Sequence, residues 1–283
     1  MPNFVDLFFL SFACVKAIGQ VDDPGRDIAD IFICVNNTRW DDHSNDRFRQ
    51  EVIEPVLNKV ESFLTDPTLL CILGQTKNKL DLRCIMDEGK ILVVNLSKGN
   101  LGEDASNLLG SLLVTSIQQA AMSRSNIPED ERKDFYLYVD EFQNFATPAF
   151  ATILSEARKY RLNLTIAHQY LGQLDDETRL AVFGNVGTML SFAVGNEDAE
   201  VIAEQLGGGL TPSDLSHLAK YHAYIGLMID GKTADPFLMR TMKPAHSLQG
   251  EKSYEVLLTE SRNRYAAPAA KVDKGLEWTL ALA

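Results

Sequence analysis

The chain has 283 residues, of which 45% are hydrophobic, and its formal net charge is -12. This composition is typical of a globular protein that forms one large α/β domain or two smaller ones. The acidic balance argues against a broad basic surface, so any contact with nucleic acid has to be local, for example on loops that line a pore. The four cysteines have no CxxC spacing and no nearby histidine. They indicate neither a zinc site nor a disulfide framework and are typical of reduced thiols in a cytosolic protein.

The first 45 residues have weak periodicity, and we assign residues 1–45 to an uncertain N-terminal segment. Residues 4–18 are apolar, but they include Asp6 and Lys16 and fall short of the roughly 20 residues that a membrane-spanning helix needs. They also lack a basic leader and a cleavage site. We interpret them as a buried helix or as an exposed start left by a truncated reading frame. Residues 46–64 have helical spacing, and we assign 46–88 to a helical segment that could be the remnant of an all-α domain.

Alternating strand and helix patterns occupy the middle of the chain. Residues 90–96 are branched and apolar, which predicts a buried strand, and apolar positions from 105 to 121 then repeat at helical spacing. Further helices are predicted at 148–160, 179–183, 196–206, 211–219 and 254–262, and further strands at 162–167 and 187–194. A strand, a helix and a second strand in this order form a βαβ unit, so the pattern predicts an α/β fold with a mostly parallel sheet.

A run of β-forming residues begins at Phe135 and ends in two adjacent carboxylates, Asp140 and Glu141. The run is apolar enough to predict a strand that is buried on both faces of a parallel sheet. Open α/β sheets bind ligands at the carboxyl ends of their strands, where an acid can hold Mg²⁺ and a following glutamate can polarise water. The alternative is an ordinary acidic turn. The aromatic residues of the run are interpreted as core packing rather than a base-stacking surface: Tyr136, Tyr138 and Phe142.

Residues 226–233 match the written phosphate-loop pattern G-x-x-x-x-G-K-[ST]. A phosphate loop follows a strand and opens a helix, so that its backbone N–H groups surround the phosphates. Here the middle positions are mostly large and apolar, and Ala234-Asp235-Pro236 follows where the helix should begin. We interpret the stretch as part of a hairpin between residues 221–229 and 236–241 that turns at Asp230-Gly231. No other stretch of the sequence supplies such a loop, so the nucleotide affinity should be low.

Three segments carry a resemblance to a known family: residues 138–145, 154–160 and 166–174. In their order and close spacing they resemble the carboxyl-terminal part of the TraG/TraD-type coupling ATPases of conjugation and type IV secretion, in the RecA-like P-loop NTPase superfamily. The resemblance covers about residues 48–245. It implies a RecA-like, mostly parallel sheet flanked by helices, a partial core without the Walker A segment, and a C-terminal β-hairpin. The ATPase core is then expected at 89–245, followed by a helical and flexible tail at 246–283.

The resemblance also implies roles for individual residues. Asp140 would coordinate Mg²⁺ directly or through water, as the Walker B acid, and Glu141 would activate water. Gln169 would sense the γ-phosphate of ATP, and Arg158 would act on the nucleotide of a neighbouring subunit. The alternatives are that Arg158 belongs to a solvated basic helix face and that Gln169 caps a strand. His168 is interpreted as structural.

The implied function is ATP-driven DNA translocation, with hydrolysis at the subunit interfaces of a hexamer and DNA in a central pore. The implied cofactors are ATP and Mg²⁺, and the implied partners are relaxosome or secretion-channel proteins. The implied location is cytoplasmic, at the inner face of the membrane. Because this family carries its phosphate loop upstream, we expect a fragment, a split-gene product or a degenerate relative that is inactive alone. The alternative is a non-catalytic interaction subunit; a hydrolase or reductase has little support, since its motifs are missing from the sequence.

Overall fold

The computed structural model describes residues 66–73, 75, 78–146, 148–242 and 251–272. The segments predicted at 1–45 and 46–64 lie outside these residues. The helices, numbered within the described chain, are α1 Pro67–Leu73, α2 Leu82–Glu88, α3 Lys98–Leu101, α4 Glu103–Met122, α5 Pro148–Glu156, α6 Asp176–Asn185, α7 Asn196–Leu206, α8 Pro212–Ser216 and α9 Glu251–Tyr265. The strands are β1 Phe135–Val139, β2 Leu162–Ile166, β3 Met189–Ser191, β4 His222–Gly226, β5 Met228–Ile229, β6 Lys232–Thr233 and β7 Phe237–Arg240. None of these helices is long and apolar enough to cross a membrane.

The chain divides into two compact units, Met1–Ser123 with Gly250–Ala283, and Arg124–Gln249. The domain boundaries expected from the sequence stay predictions. In the first unit α1 packs against α4 through four buried apolar residues: Leu69, Ile72, Ala105 and Leu109. Helix α2 begins where the Asp81 carboxylate accepts a hydrogen bond from the Cys84 amide, and it ends at Gly89 with a φ of 71°.

The strand predicted at residues 90–96 is not formed, and this expectation was wrong. Ile91 and Val93 are 94% and 83% exposed, whereas Val94 and Leu96 pack against the core of the first unit. The Ser106 hydroxyl fixes the end of this segment by donating a hydrogen bond to the Leu96 carbonyl oxygen at 2.6 Å. The apolar run thus has one packed face, and composition alone could not show that no described residue covers the other face.

The second unit contains a parallel pair of strands, β1 and β2, in register from Phe135 opposite Leu162 to Val139 opposite Ile166. Helix α5 connects them and contributes Phe150 to the core. The Phe150 ring packs on the ring of Phe142 with centroids 4.4 Å apart. The α/β class with a parallel pair of strands and flanking helices is therefore confirmed.

The expectation that β1 is buried on both faces was wrong. Tyr136 and Tyr138 are 60% and 71% exposed, whereas Val139 is buried. Successive side chains of a strand point to opposite faces, so the two tyrosines share one face of the sheet, and the described residues leave that face largely exposed. Of the three aromatic residues interpreted as core packing, only Phe142, which is fully buried, lies in the core.

The second unit also contains an antiparallel sheet in the order β3-β4-β7. Helix α7 packs on it, and Met189 and Tyr224 of the sheet contact the core cluster. The buried members of that cluster are Leu171, Ala199, Ile202, Ala203, Leu206 and Leu215. Helix α7 ends in three glycines with positive φ, and a Cβ atom added to Gly208 would lie 2.4 Å from Cδ of Pro236. The close approach of this turn to the segment before β7 therefore requires glycine.

Between β4 and β7 the chain forms a tight turn. Strands β5 and β6 pair antiparallel, with Met228 opposite Thr233. Asp230 and Gly231 have φ values of 50° and 76°, the left-handed backbone that a two-residue turn of this kind requires. The amide of Ala234 donates to the Leu227 carbonyl oxygen at 2.8 Å, so the pairing continues beyond the two short strands.

Candidate functional site

The candidate site lies where β1 and β2 end. Asp140 and Glu141 directly follow β1, and Gln169 follows β2. The carboxyl ends of parallel strands meet at the same edge of a sheet, so the folding of this pair brings the three residues together. The Gln169 side-chain amide, Nε2, donates a hydrogen bond to Oε1 of Glu141 at 2.5 Å.

The backbone of Glu141 has φ 50° and ψ 44°, a left-handed conformation that residues other than glycine rarely adopt. Two hydrogen bonds hold it there. The Glu141 amide donates to Oδ1 of Asp140 at 3.0 Å, and the Phe142 amide donates to the Ala167 carbonyl oxygen at 2.9 Å. The turn therefore directs the Glu141 carboxylate towards the end of β2 while Phe142 enters the core. Backbone strain of this kind is typical of functional sites.

Two further glutamines belong to the site, and the sequence patterns did not single them out. The Gln143 side-chain amide, Nε2, donates to Oε2 of Glu141 at 2.5 Å. The Gln173 side-chain oxygen accepts hydrogen bonds from the backbone amides of Gln169 and Tyr170, both at 3.3 Å. Tyr170 and Gln173 have the three-residue spacing of a helix capping box, but a tyrosine stands where the pattern has Ser or Thr, so this pattern does not reveal Gln173. No periodicity reveals Gln143.

His168 is half-buried beside this cluster. Its Nδ1 atom is buried and has no hydrogen-bond partner among the described residues. Burial lowers the pKa of His168, and the Tyr170 backbone and the negative charge of Asp198 oppose that effect. Asp198 also accepts a hydrogen bond from the Leu171 amide at 3.0 Å.

Arg158 lies on a short 3-10 helix, Ala157–Tyr160, that directly continues α5. Its side chain is exposed and makes no hydrogen bond or ion pair with any residue in the described part of the chain. The structure therefore does not bring Arg158 into contact with Asp140, Glu141 or Gln169. An exposed guanidinium on an ordered turn is nevertheless available to an anion on another molecule.

Two other arginines fix the turn that carries Arg158. Arg124 is fully buried and donates hydrogen bonds to the Tyr160 carbonyl oxygen at 2.9 Å and to the Lys133 carbonyl oxygen at 2.5 Å. Arg132 donates to the Lys159 carbonyl oxygen, and its guanidinium lies over the Tyr160 ring at 5.5 Å. The segment before β1 thus holds the carbonyl groups of the two residues that follow Arg158.

The residues present are compatible with a magnesium ion that is held mainly by other ligands. Asp140 is exposed and offers a carboxylate, the hard oxygen ligand that Mg²⁺ prefers. Within the described residues no group of three or more His, Cys, Asp or Glu side chains could hold a metal ion. Magnesium sites that use one or two carboxylates take their remaining ligands from nucleotide phosphates and water.

Comparison with known proteins gives one family match and a consistent set of solved structures. Residues 134–212 match the family model described as the TraM recognition site of TraD and TraG. The bacterial conjugative coupling protein TrwBdeltaN70, in its unbound monoclinic form, is 16% identical with a TM-score of 0.57. The plasmid coupling protein TrwB in complex with the non-hydrolysable GTP analogue GDPNP is 17% identical with a TM-score of 0.56. TrwB in complex with ADP and Mg²⁺ is 15% identical with a TM-score of 0.53.

Each of these matches covers 69% of this chain and 51% of the solved protein, so the chain spans about half the length of the coupling proteins it matches. At this level of identity the structures show a shared fold. A search of curated proteins gave no significant match. The resemblance to the TraG/TraD type is confirmed, and its sequence match covers the segment that contains β1, β2 and the cluster around Glu141.

Proposed function

We propose that this chain, whose residues 134–212 are a TraG/TraD-type region, is the C-terminal part of an ATP-driven DNA-translocating coupling protein of conjugation or type IV secretion. The observation that carries the proposal is the hydrogen bond between Glu141 and Gln169, which joins the ends of two parallel strands. Residues 89–245 would form the C-terminal part of a RecA-like core. A phosphate loop supplied by another polypeptide segment would complete the nucleotide site.

Each site residue then has a defined task. Asp140 would hold Mg²⁺, which supplies charge neutralisation for the phosphates. The Glu141 carboxylate would orient and deprotonate the attacking water. The Gln169 amide, which now bonds to Glu141, would turn to the γ-phosphate. Arg158 would reach the nucleotide of a neighbouring subunit, and its exposed guanidinium supports this role. The subunits would form a hexamer with DNA in the central pore.

The first test is the sequence upstream of this reading frame. A phosphate loop encoded in frame or in an adjacent gene is expected, and the enzymatic form of the proposal fails without one. When that polypeptide is combined with the chain, we expect ATP hydrolysis that Glu141→Gln reduces to a small residual rate. Glu200→Gln is the matched control, because Glu200 is exposed on α7 of the same unit.

Mixing of two inactive variants tests whether Arg158 acts on the nucleotide of a neighbouring subunit. Subunits with Arg158→Ala and subunits with Glu141→Gln should each be inactive alone. In a random equal mixture about a quarter of the interfaces combine an intact Arg158 with an intact Glu141 on the facing subunit, so activity should partly return. If the mixture stays inactive while the wild type is active, Arg158 does not act across the interface.

A second candidate function is a non-catalytic interaction subunit that docks to a relaxosome or secretion partner. The observation in its favour is the family description of the matched region as a TraM recognition site. It predicts that the purified chain binds such a partner without nucleotide. Tight binding of ATP by the purified chain, measured by calorimetry with Mg²⁺ present, would count against it.

A further inference from the structure

We propose that Gln143 is a positioning residue that holds the Glu141 carboxylate in place, an inference that rests on the proposed function. Gln143 lies on the 3-10 helix Phe142–Asn144, two residues after Glu141. It donates to Oε2 of Glu141, and Gln169 donates to Oε1, each at 2.5 Å. We call this arrangement of Gln143, Glu141 and Gln169 the amide clamp. Each carboxylate oxygen thus receives one donor from a different strand end.

The orientation of the Gln143 amide is determined by this contact. Its Oε1 atom is buried and has no hydrogen-bond partner among the described residues, which is unfavourable for folding. A flipped amide would place that oxygen against the Glu141 carboxylate, acceptor against acceptor, so the observed orientation is the one that the site permits. An apolar residue of similar length would avoid the buried, unpartnered oxygen. Gln143 therefore contributes to the site through the hydrogen bond that it donates to Glu141.

The amide clamp restricts the rotation of the Glu141 side chain, which the backbone conformation does not restrict. The left-handed backbone of Glu141 is fixed by Asp140 and Ala167, but the side chain still has three rotatable bonds. Two amide donors on two oxygens select one direction for the carboxylate. Small errors in the position of a reacting group reduce rates strongly, so such a support affects turnover more than binding.

The two donors have different tasks in this arrangement. Gln169 is expected to leave Glu141 when it turns to a nucleotide phosphate, whereas Gln143 lies on the same turn as Glu141 and stays with it. Gln143 would thus keep the carboxylate directed at the attacking water during the reaction. Replacement of Gln143 should therefore lower kcat and leave KM for ATP nearly unchanged.

The first experiment tests the clamp in the purified chain, without nucleotide. Side-chain amide resonances of ¹⁵N-labelled protein are assigned with Gln143→Met and compared between the wild type and Glu141→Ala. We expect the Gln143 amide protons to shift and to exchange faster with water in Glu141→Ala. The amide of Gln205, exposed on α7, is the internal control and should not respond. Unchanged Gln143 resonances would overturn the clamp.

The second experiment tests the positioning role in the complete ATPase assembly. Gln143→Met, which keeps the chain length and removes the donor, should lower kcat by about 10- to 100-fold with KM unchanged. Gln143→Glu keeps the shape and places a second acceptor against Glu141, so its loss should be larger. Neither variant should reduce the residual rate of Glu141→Gln any further, because Gln143 acts through Glu141.

The outcomes separate the two proposals. An inactive wild-type assembly overturns the proposed function and, with it, the catalytic role of the clamp. An active wild type with unchanged kcat in Gln143→Met overturns the positioning role alone. Gln205→Leu is the control for a glutamine of the same unit outside the site, and it should keep wild-type kcat.

Discussion

Replacement of Arg124 by methionine should destabilise the second unit by about 3 kcal/mol. The guanidinium is fully buried and donates to the carbonyl oxygens of Tyr160 and Lys133 at 2.9 and 2.5 Å. A hydrogen bond from a charged donor contributes about 1.5–3 kcal/mol, so two such bonds contribute about 3–6 kcal/mol. Methionine no longer places a charge in the interior, which offsets part of the loss.

The measurement is equilibrium urea unfolding followed by far-ultraviolet circular dichroism, with the free energy taken from the midpoint and slope. Arg240→Met is the matched control, because Arg240 is exposed on β7 and its substitution should stay within about 0.5 kcal/mol of the wild type. Hydrogen exchange gives a local readout. The Phe135 amide donates to the Arg161 carbonyl oxygen at 2.8 Å and should exchange faster in Arg124→Met. A variant within about 0.5 kcal/mol of the wild type would refute the reasoning.

Three further predictions concern stability. Gly208→Ala should unfold at clearly lower urea concentration than Gly209→Ala, because both have positive φ but only Gly208 would bring its new methyl group into a clash; equal midpoints would refute this. Hydrogen bonds from Thr178 hold the pKa of Asp175 below its ordinary value, so the contribution of Asp175 to stability is present above about pH 4 and is lost as pH falls through the lower folded-state pKa. Asp175→Asn should therefore flatten the acid limb of the stability curve, and an unchanged limb would contradict that cause. Burial lowers the pKa of His168, so protons favour the unfolded state below about pH 6.5 and stability falls there. His168→Gln should reduce the fall measured between pH 7.5 and 5, and an identical fall in both proteins would contradict the assignment.

The elements with strong local signals were predicted closely. Helix α7 was expected at 196–206 and is Asn196–Leu206, and β2 was expected at 162–167 and is Leu162–Ile166. Periodicity, a helix-ending glycine run and branched residues determine such elements locally. The prediction of a strand at 90–96 was wrong because its apolar residues indicate only that one face packs against other residues. They do not indicate that a neighbouring strand exists. Strand pairing is a long-range property that composition does not contain.

The positions of the site residues could be predicted in part, and their roles stay predictions. Asp140, Glu141 and Gln169 could be placed at one sheet edge from strand order alone, and the hydrogen bond between Glu141 and Gln169 agrees with that placement. Gln143 could not be found in this way, because its direction follows from the left-handed backbone of Glu141. The burial of Arg124 could not be predicted from the sequence either. A buried arginine depends on carbonyl groups from two distant segments, and no local pattern in the sequence reports them.

The turn between β4 and β7 shows what a phosphate loop has to keep available. Residues 226–233 match the sequence pattern of such a loop. Four of them instead pair as antiparallel strands, with Met228 opposite Thr233 and Ile229 opposite Lys232. An anion site needs several neighbouring N–H groups that point the same way and have no acceptor of their own. In an antiparallel pair of strands successive amides instead point in opposite directions, and those that face the partner strand already donate to its carbonyl oxygens. A phosphate-binding motif therefore requires backbone N–H groups that have no other acceptor. A pattern match that ignores backbone hydrogen bonding will mistake hairpins of this kind for nucleotide sites.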